Sequence, residues 1–392
     1  MIARSTPLES DVDLNDVAGG DGFLFVREGV GFAGRGVAAR VPIDEAVEFL
    51  ARLEHVDGAG SANGPIAMGA LPFLPGQPAT LVVPAIVVGK DGRGRAWVTR
   101  IDGADEPLVA ADPPIPNAAS YALRPLVEVD HYLAAVAAAR DAVRQGRMDK
   151  AVIARPIAVE CDQPIDVHAV LRRLKATFGS SHRFSIDGFI GASPELLVEV
   201  AGDIVRSFPL AGTTPTTGDP ERDAELAAEL QASAKNQIEH RAAIEMVRDT
   251  LLPYCSYLDW APEPEIVKVA NVQHLGSRAE GRLSHPAPTV IELVRALQPT
   301  PAVGGYPREE AIDLITSVEG FERGLYGGAV GWVDAKGDGR WAVSLRCAEL
   351  AADRRTARLV AGGGIVADSD PRSELAETQA KFQAMLSAIV RP

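Results

Sequence analysis

The sequence predicts an α+β fold whose strands pair mainly in antiparallel fashion. Strand-like segments follow one another in runs, whereas a parallel sheet would require strict alternation of strands and helices. Two such segments, 327–333 and 341–350, flank the turn-rich stretch DAKGDG at 334–339, which is typical of a hairpin. The composition, 46% hydrophobic and 23% charged, provides for a sizeable core. The 392 residues therefore fit one large unit or two to three smaller domains.

Residues 1 to about 120 contain mainly strand and turn signals. One clear helix is predicted at 43–53, because Asp44 and Glu45 are favourable in a first helical turn. The Pro-rich stretch 112–116 is the best candidate for a linker or surface crossover.

Capping residues and glycines mark the remaining elements. They are a helix capped by Asp130 and ending at Gly146, a strand at 148–158, a long helix opened by Asp219 and Pro220 and reaching Val247, a strand at 355–366, and a last helix from Asp370 and Pro371 to about residue 390.

The charge balance excludes some classes of function. With 39 Lys+Arg against 53 Asp+Glu, the net charge is −14, and an acidic surface repels nucleic acids and anionic membranes. The longest apolar run, 81–88, is far shorter than the roughly 20 residues of a membrane helix.

Residues 1–16 lack the apolar core of a signal peptide. Cys161, Cys255 and Cys347 are too few and too scattered for a disulfide framework, so we expect a cytoplasmic protein with free thiols.

A glycine motif at 29–34 (GVGFAG) matches the dinucleotide-binding pattern GxGxxG. That site requires a helix directly after the turn, since the amides at the helix N-terminus hold the pyrophosphate. Residues 35–42 look extended and end in a proline, so we interpret the motif as a hairpin turn. Gly362–Gly364 is equally poor as a phosphate loop, because apolar residues continue the strand.

Three polar residues share one face of the last predicted helix, Glu374, Glu377 and Lys381. A solvated face is the usual explanation, but this face follows a glycine-rich strand end, where ligands can approach backbone. Magnesium prefers hard oxygen ligands, one or two carboxylates with substrate oxygens and waters. Glu239 and Glu377 could supply these carboxylates, although spacing alone does not show whether they meet.

Nine ordered segments between residues 149 and 378 resemble the chorismate-utilising enzymes, the family of isochorismate, salicylate, anthranilate and aminodeoxychorismate synthases. The segments are DKAVIAR (149–155), GASPELL (191–197), PLAGT (209–213), KNQIEH (235–240), VQHL (272–275), PTPAVGG (299–305), RGLYGG (323–328), LR (345–346), and AGGGI (361–365) followed by SDP (369–371) and ELAET (374–378).

This resemblance implies two facing antiparallel sheets with helices packed outside and an active site between the sheets. Residues 1–120 would be a variable part of this fold, and residues 121–392 the chorismate-binding catalytic region of a monomer. The resemblance also implies Mg²⁺ bound by Glu239 and Glu377, with Glu374 acting through water. The family often has an acid where this chain has Asn236, so one charge near the metal is missing.

The resemblance assigns roles to further residues. Lys150 matches the base that activates water, and Glu195 matches the acid on the opposite side of the ring. Arg346 resembles the clamp for the enolpyruvyl carboxylate, aided by Tyr326, and His274 is expected to donate a hydrogen bond near the hydroxylated carbons. The other expected substrate contacts are Gly212, Thr213, Ala302, Leu345, Gly362 and Lys381. Without the family, a surface lysine and a structural histidine would be the simpler interpretations of Lys150 and His274.

Two positions favour one member of the family. Ala211 stands where aminodeoxychorismate synthases carry a nucleophilic lysine, and Ala302 stands where salicylate synthases carry a threonine. We therefore predict an isochorismate synthase, which adds water at C2 of chorismate with loss of the C4 hydroxyl. A salicylate synthase, which also eliminates pyruvate, and a non-catalytic chorismate-binding protein remain alternatives. Menaquinone, siderophore and salicylate pathways all stay open.

Overall fold

The structure is a computed structural model that describes residues 1–60, 63–109, 118, 120–269 and 272–390, with the backbone alone at Lys235. The predicted linker at 112–116 lies outside these residues. No helix in the described ranges is both long and apolar enough to cross a membrane.

The strands of the described chain, in order, are β1 (Ile2–Pro7), β2 (Phe23–Arg27), β3 (Val30–Arg35), β4 (Ala39–Pro42), β5 (Glu54–Asp57), β6 (Ile66–Leu71), β7 (Thr80–Val83), β8 (Ile86–Lys90), β9 (Ala96–Ile101), β10 (Tyr121–Pro125), β11 (Lys150–Cys161), β12 (His182–Ile186), β13 (Phe189–Ser193), β14 (Leu196–Ala201), β15 (Ile204–Phe208), β16 (Leu210–Pro215), β17 (Cys255–Trp260), β18 (Glu265–Val269), β19 (Val272–Gly276), β20 (Ala279–Leu283), β21 (Gly305–Tyr306), β22 (Ala329–Asp334), β23 (Gly339–Val343), β24 (Cys347–Leu350) and β25 (Thr356–Ile365).

The α-helices are α1 (Leu14–Ala18), α2 (Ala46–Ala51), α3 (Val129–Arg144), α4 (Val167–Phe178), α5 (Pro220–Ala232), α6 (Ala234–Leu251), α7 (Val290–Leu297), α8 (Arg308–Val318) and α9 (Pro371–Val390), and short 3-10 helices occupy Ile43–Glu45 and Leu252–Tyr254.

Two large sheets dominate the architecture. The first has the strand order β10-β11-β25-β24-β13-β12-β2-β3-β8-β9-β1-β5, with β21 paired to the start of β11. The second has the order β17-β20-β15-β14-β23-β22-β6-β7-β4, and a small third sheet has the order β16-β19-β18. Within the described residues, every pair of neighbouring strands is antiparallel except β1 and β5, which are parallel.

The two large sheets face each other across an aromatic core. Phe25, Phe32 and Trp97 of the first sheet pack with Met68 and Val330 of the second. The helices cover the outer faces, α1, α4 and α9 on the first sheet and α2, α6 and α7 on the second. The predicted α+β class, with two facing antiparallel sheets and outer helices, is confirmed.

Several local predictions are also confirmed. The segment 43–53 forms a 3-10 turn followed by α2. Gly29, with φ 79°, lies in the β2–β3 hairpin turn, so the GxGxxG motif has no helix after it. Asp219 caps α5 by accepting hydrogen bonds from two amides of the first turn. Cys161, Cys255 and Cys347 are free thiols.

Three local predictions are wrong. The helix from Asp219 to Val247 is broken at Ser233, whose extended backbone ends α5 and whose hydroxyl accepts from the Asn236 amide to cap α6. Asp130 lies in the first turn of α3, and Glu128 precedes the helix without a side-chain capping bond. The predicted strand 341–350 divides into β23 and β24, which belong to different sheets.

Candidate active site

Two crossings of the chain between the large sheets lie side by side. β13 of the first sheet passes to β14 of the second through residues 194–195, and β23 passes back to β24 through residues 344–346. The Val343 amide donates a hydrogen bond of 3.1 Å to the carbonyl oxygen of Glu195, which ties the crossings together. Strands that leave one sheet here open a gap between the layers. Glu195 and Arg346 both lie at this gap.

Arg346 has a left-handed backbone with φ 48°, an uncommon conformation for a residue with a side chain. Its carbonyl oxygen accepts a hydrogen bond from the Ala192 amide at 3.0 Å, so strand β13 holds the Arg346 backbone in place. The side chain is partly buried, and desolvation lowers its pKa from the ordinary value. No carboxylate of the described residues forms an ion pair with it, so this cation is suited to receive an anionic ligand.

A cavity of about 210 Å³ opens at the two crossings. Its walls come from β25 of the first large sheet, the small sheet, the helices α6 and α9, and connecting segments that include both crossings. The lining residues are Pro194, Glu195, Leu210, Ala211, Gly212, Thr213, Asn236, Glu239, His274, Ala302, Tyr326, Leu345, Arg346, Gly362, Gly364, Glu377 and Lys381. Every predicted site residue except Lys150 and Glu374 is among them.

Lys150 lies directly behind this lining, at the start of β11. Its Nζ donates a hydrogen bond of 2.6 Å to Glu239 Oε1, and the two side chains are 5% and 15% exposed. Gly364 on the neighbouring strand leaves the space for them. A Cβ at this glycine would lie 2.6 Å from Lys150 Cε and 2.9 Å from Glu239 Oε1. A side chain at position 364 would therefore displace the ends of Lys150 and Glu239.

A second lysine–glutamate pair lies on α9. Lys381 Nζ is 2.6 Å from Glu377 Oε1, one helical turn away, and donates a hydrogen bond of 2.8 Å to the Gly362 carbonyl. This face of α9 is therefore not only a solvated surface, because Lys381 contacts the backbone of β25 and both Glu377 and Lys381 line the cavity. The carboxylates of Glu239 on α6 and Glu377 on α9 thus both line the cavity, and each is paired with a lysine ammonium group.

Glu374 is buried on the helix side of β25. Its Oε1 accepts a hydrogen bond from Ser369 Oγ at 2.8 Å. A Cβ at Gly363 would lie 2.7 Å from Glu374 Oε2 and 3.8 Å from Glu377 Oε1, so this glycine gives both carboxylates access to the strand backbone. No group of three metal-binding side chains is found within the described residues.

Glu195 is buried, and burial raises the pKa of its carboxyl from 4.5 to about 8. A hydrogen bond from the Leu210 backbone and the positive charge of Lys150 oppose this shift but do not cancel it. The carboxyl is therefore protonated at neutral pH and can donate a proton at the cavity.

His274 is neutral, because burial and the charges of Arg346 and Lys381 lower its pKa to about 3. Its Nδ1 lies 3.1 Å from the Gly212 carbonyl oxygen and 3.1 Å from Thr213 Oγ1. A carbonyl can only accept, so Nδ1 carries the hydrogen and Nε2 is an acceptor. Within the described chain Nε2 has no partner. The sequence predicted that the His274 ring donates a hydrogen bond to a ligand. In this structure the ring nitrogen without a partner, Nε2, can instead accept one.

The remaining predicted residues complete the wall. Burial raises the pKa of Tyr326 to about 12, so its hydroxyl keeps its proton. Gly212 has φ 75°, a conformation that glycine adopts without strain, and a Cβ there would lie 3.1 Å from Asn236. Pro194, Leu210 and Gly364 also line the cavity and lie within the motifs, although no local signal marks them as site residues.

Comparison with known proteins gives concordant results. The model of the family described as chorismate binding enzyme matches residues 77–390. The MenF protein of Mycobacterium tuberculosis is 42% identical over 347 residues, covering 84% of this chain and 87% of that protein. The isochorismate synthase DhbC of Bacillus subtilis is 37% identical over 338 residues, covering 83% of this chain and 81% of that protein.

A solved structure extends the similarity to the whole fold. The crystal structure of DhbC from Bacillus anthracis superimposes with a TM-score of 0.82 at 33% identity, covering 96% of this chain and 99% of that one. The residues that match the family model, 77–390, include every residue that lines the cavity and both sheet crossings. The chain belongs to the family of chorismate-binding enzymes.

Proposed function

We propose that the protein is an isochorismate synthase, which converts chorismate reversibly into isochorismate. The observation that carries this proposal is a protonated carboxyl, Glu195, in the wall of a cavity, with a lysine, Lys150, directly behind that wall. Arg346 also lines the cavity and has no carboxylate ion-pair partner among the described residues. An acid and a base with opposed environments are what a water-for-hydroxyl exchange requires. The names of the relatives, among them isochorismate synthases of Bacillus subtilis and Escherichia coli, support the same activity.

In the proposed reaction, Lys150 takes a proton from water as the water oxygen bonds to C2 of the ring. The bond between C4 and its hydroxyl breaks, the ring double bonds shift, and Glu195 supplies the proton with which the hydroxyl leaves as water. Substrate and product have the same composition, so the reverse reaction uses the same groups with exchanged roles. In this structure the Lys150 ammonium donates to Glu239. To act as the base, Lys150 must give up this contact and lose a proton, because only the neutral amine has a lone pair that can accept one.

Chorismate carries two carboxylates, which explains the cations in this acidic protein. Arg346 would clamp the enolpyruvyl carboxylate through its planar fork, and Tyr326 would donate a further hydrogen bond. The acceptor Nε2 of His274 would receive a hydroxyl hydrogen of the substrate. These groups suit a dianionic ring that bears one hydroxyl.

The cavity also suits Mg²⁺. Glu239 and Glu377 are hard oxygen donors on its wall, and Gly363 and Gly364 leave space that any other residue would fill. Two protein carboxylates are a typical set for a magnesium ion whose other ligands are substrate oxygens and waters. When bound, the ion would supply positive charge that holds the ring carboxylate of chorismate. Glu374, buried behind Gly363, would act through water.

We also propose that the N-terminal and C-terminal parts of the chain have different roles. Strands β1 to β9 extend both large sheets away from the cavity, whereas every lining residue lies after position 193. Residues 1–120 would then be scaffold, and residues 121–392 the catalytic region.

The direct test is incubation of the purified protein with chorismate and Mg²⁺, followed by chromatographic separation of the products. We expect isochorismate, formed without ammonia or glutamine, and chorismate re-formed when isochorismate is supplied. Salicylate and pyruvate as the main products would instead identify a salicylate synthase. An unchanged substrate, with binding detected by calorimetry, would identify a non-catalytic chorismate-binding protein.

A further inference from the structure

Glu319 and Arg323 form a buried ion pair directly after α8. Arg323 Nε donates to Glu319 Oε2 at 2.8 Å and Nη2 donates to Oε1 at 2.5 Å, and the two side chains are 2% and 1% exposed. Burying two charges is costly unless further hydrogen bonds satisfy them. The additional partners of this pair therefore show what it holds in place.

The pair occupies the place of a missing strand beside β11. One edge of β11 pairs with β25 along its length, while the other edge pairs with β21 at its start and with β10 from Ile157 onward. In the interval between them, the Ala154 amide donates to Glu319 Oε1 at 2.7 Å, and Arg323 Nη2 donates to the Val152 carbonyl at 2.7 Å. Two side chains thus supply the acceptor and the donor that a neighbouring strand would supply.

Arg323 also contacts two other segments that form the cavity wall. Its Nη1 donates a hydrogen bond of 2.6 Å to the carbonyl of Val303, which adjoins the lining residue Ala302. Its carbonyl accepts from the Tyr326 amide at 3.3 Å, and its guanidinium lies 4.2 Å from the ring centroid of Phe73. Arg323 therefore holds three segments together: the start of β11, the 299–305 loop and the turn that contains Tyr326.

We propose that Glu319 and Arg323 are positioning residues that place Lys150, Ala302 and Tyr326 for the reaction. Neither residue of the pair lines the cavity, so they act through the segments they hold. Lys150 lies two residues before Val152 on the same strand, and a displacement of about 1 Å in a reacting group can cost about 100-fold in rate. The inference rests on the proposed function, since it assigns the reaction to Lys150.

The substitution Arg323→Lys tests the pair. It keeps the positive charge, but a single ammonium cannot donate to two carboxylate oxygens and to the carbonyls of Val152 and Val303 together. The matched control is Arg340→Lys, because Arg340 also pairs with a glutamate, Glu199, on β14 and does not line the cavity.

We expect Arg323→Lys to lower kcat about 10- to 100-fold, with a smaller change in KM, while circular dichroism shows a folded protein. The control should stay within about twofold of the unmodified enzyme. Hydrogen exchange measured by mass spectrometry should quicken in peptides that cover residues 150–156 and 300–305 in Arg323→Lys alone. Unchanged kcat together with unchanged exchange would overturn the proposal.

A double substitution separates positioning from general destabilisation. In a Lys150→Ala background, Arg323→Lys should reduce the residual turnover by a smaller factor than in the unmodified enzyme, because one of the three groups that the pair positions is gone. A full additional loss in that background would contradict positioning through Lys150. If Arg323→Lys is insoluble, the same kinetic and hydrogen-exchange measurements can be made on Glu319→Gln, because the glutamine amide cannot neutralise the Arg323 guanidinium. If the unmodified protein makes no isochorismate, the proposed function is wrong. The rate of hydrogen exchange in residues 150–156 still tests whether Glu319 and Arg323 hold this segment in place.

Discussion

The Lys150 ammonium lies 2.6 Å from Glu239 Oε1, although the two residues are 89 positions apart in the chain. The lysine lies on strand β11 and the glutamate on helix α6, and Gly364, which has no side chain, leaves room for their contact. The same carboxylate is the proposed ligand of Mg²⁺. Base and metal ligand are therefore coupled, because whatever occupies Glu239 determines whether Lys150 keeps its hydrogen-bond partner.

Replacing Lys150 with alanine removes the proposed base. General base catalysis contributes about 10²- to 10⁴-fold, so we expect kcat to fall by at least about 100-fold. Chorismate binding, measured by calorimetry, should persist because Arg346 is intact. Lys175→Ala is the control, since that lysine pairs with Asp13 at the surface of α4. A Lys150→Ala enzyme with normal turnover would show that another group activates the water.

Replacing Glu195 with glutamine should abolish turnover and change how stability depends on pH. Burial raises the carboxyl pKa to about 8 in the folded protein, against an ordinary value of 4.5. Between these pH values the native state binds more protons than the unfolded state, so this group's contribution is complete below about pH 4.5 and declines as pH rises to about 8. Each pKa unit corresponds to about 1.4 kcal/mol, which makes the total a few kcal/mol at most.

Glutamine does not ionise, so the glutamine variant lacks this decline. Its Tm relative to the unmodified protein should increase steadily from pH 5 to pH 8, as followed by thermal denaturation in a buffer series. A difference in Tm that is independent of pH would mean that Glu195 is already ionised in the folded protein at neutral pH.

Replacing Arg346 with methionine should separate binding from stability. The guanidinium is desolvated and lacks a carboxylate partner within the described residues, so an apolar side chain of similar length should preserve or raise Tm. Hydrogen bonds to a charged group contribute about 1.5–3 kcal/mol, so KM for chorismate should rise roughly 10- to 100-fold. Steady-state kinetics and thermal denaturation measure the two effects. A large fall in Tm with an unchanged KM would assign Arg346 to the scaffold.

Replacing Gly364 with alanine should displace the base without removing it. The new methyl group would lie 2.6 Å from Lys150 Cε, a separation that real side chains do not tolerate. We expect kcat to fall about 10- to 100-fold while the protein stays folded. Gly92→Ala is a suitable control, because a Cβ there has no neighbour within 4 Å. Equal activity of the two variants would show that Lys150 can move without loss.

Removal of divalent metal should stop turnover reversibly. We expect protein treated with EDTA and then freed of chelator to be inactive, and Mg²⁺ to restore isochorismate formation. Glu377→Gln should increase the Mg²⁺ concentration needed for half-maximal activity, because it removes one of the two carboxylates on the cavity wall. Full activity in chelator-treated protein, checked for residual metal by mass spectrometry, would exclude the proposed metal site.

Local sequence patterns were sufficient to identify many elements. The cap at Asp219, the turn at Gly29 and the last helix from Pro371 to Val390 depend on residues close together in the chain, and these predictions are confirmed. The break at Ser233 was missed because a serine in a long helical pattern can be either an interior residue or a cap, and local preference does not decide between them.

The family, the fold class and the residue types of the site follow from the sequence, because ordered motifs and local preferences specify them. The pairing of Lys150 with Glu239, the retained proton of Glu195 and the acceptor nitrogen of His274 are seen only in the folded chain. The tertiary structure also revealed the Glu319–Arg323 pair beside β11. The physical reason is that ion pairing, desolvation and hydrogen-bond direction depend on groups from distant segments, and these meet only after the two sheets have packed together.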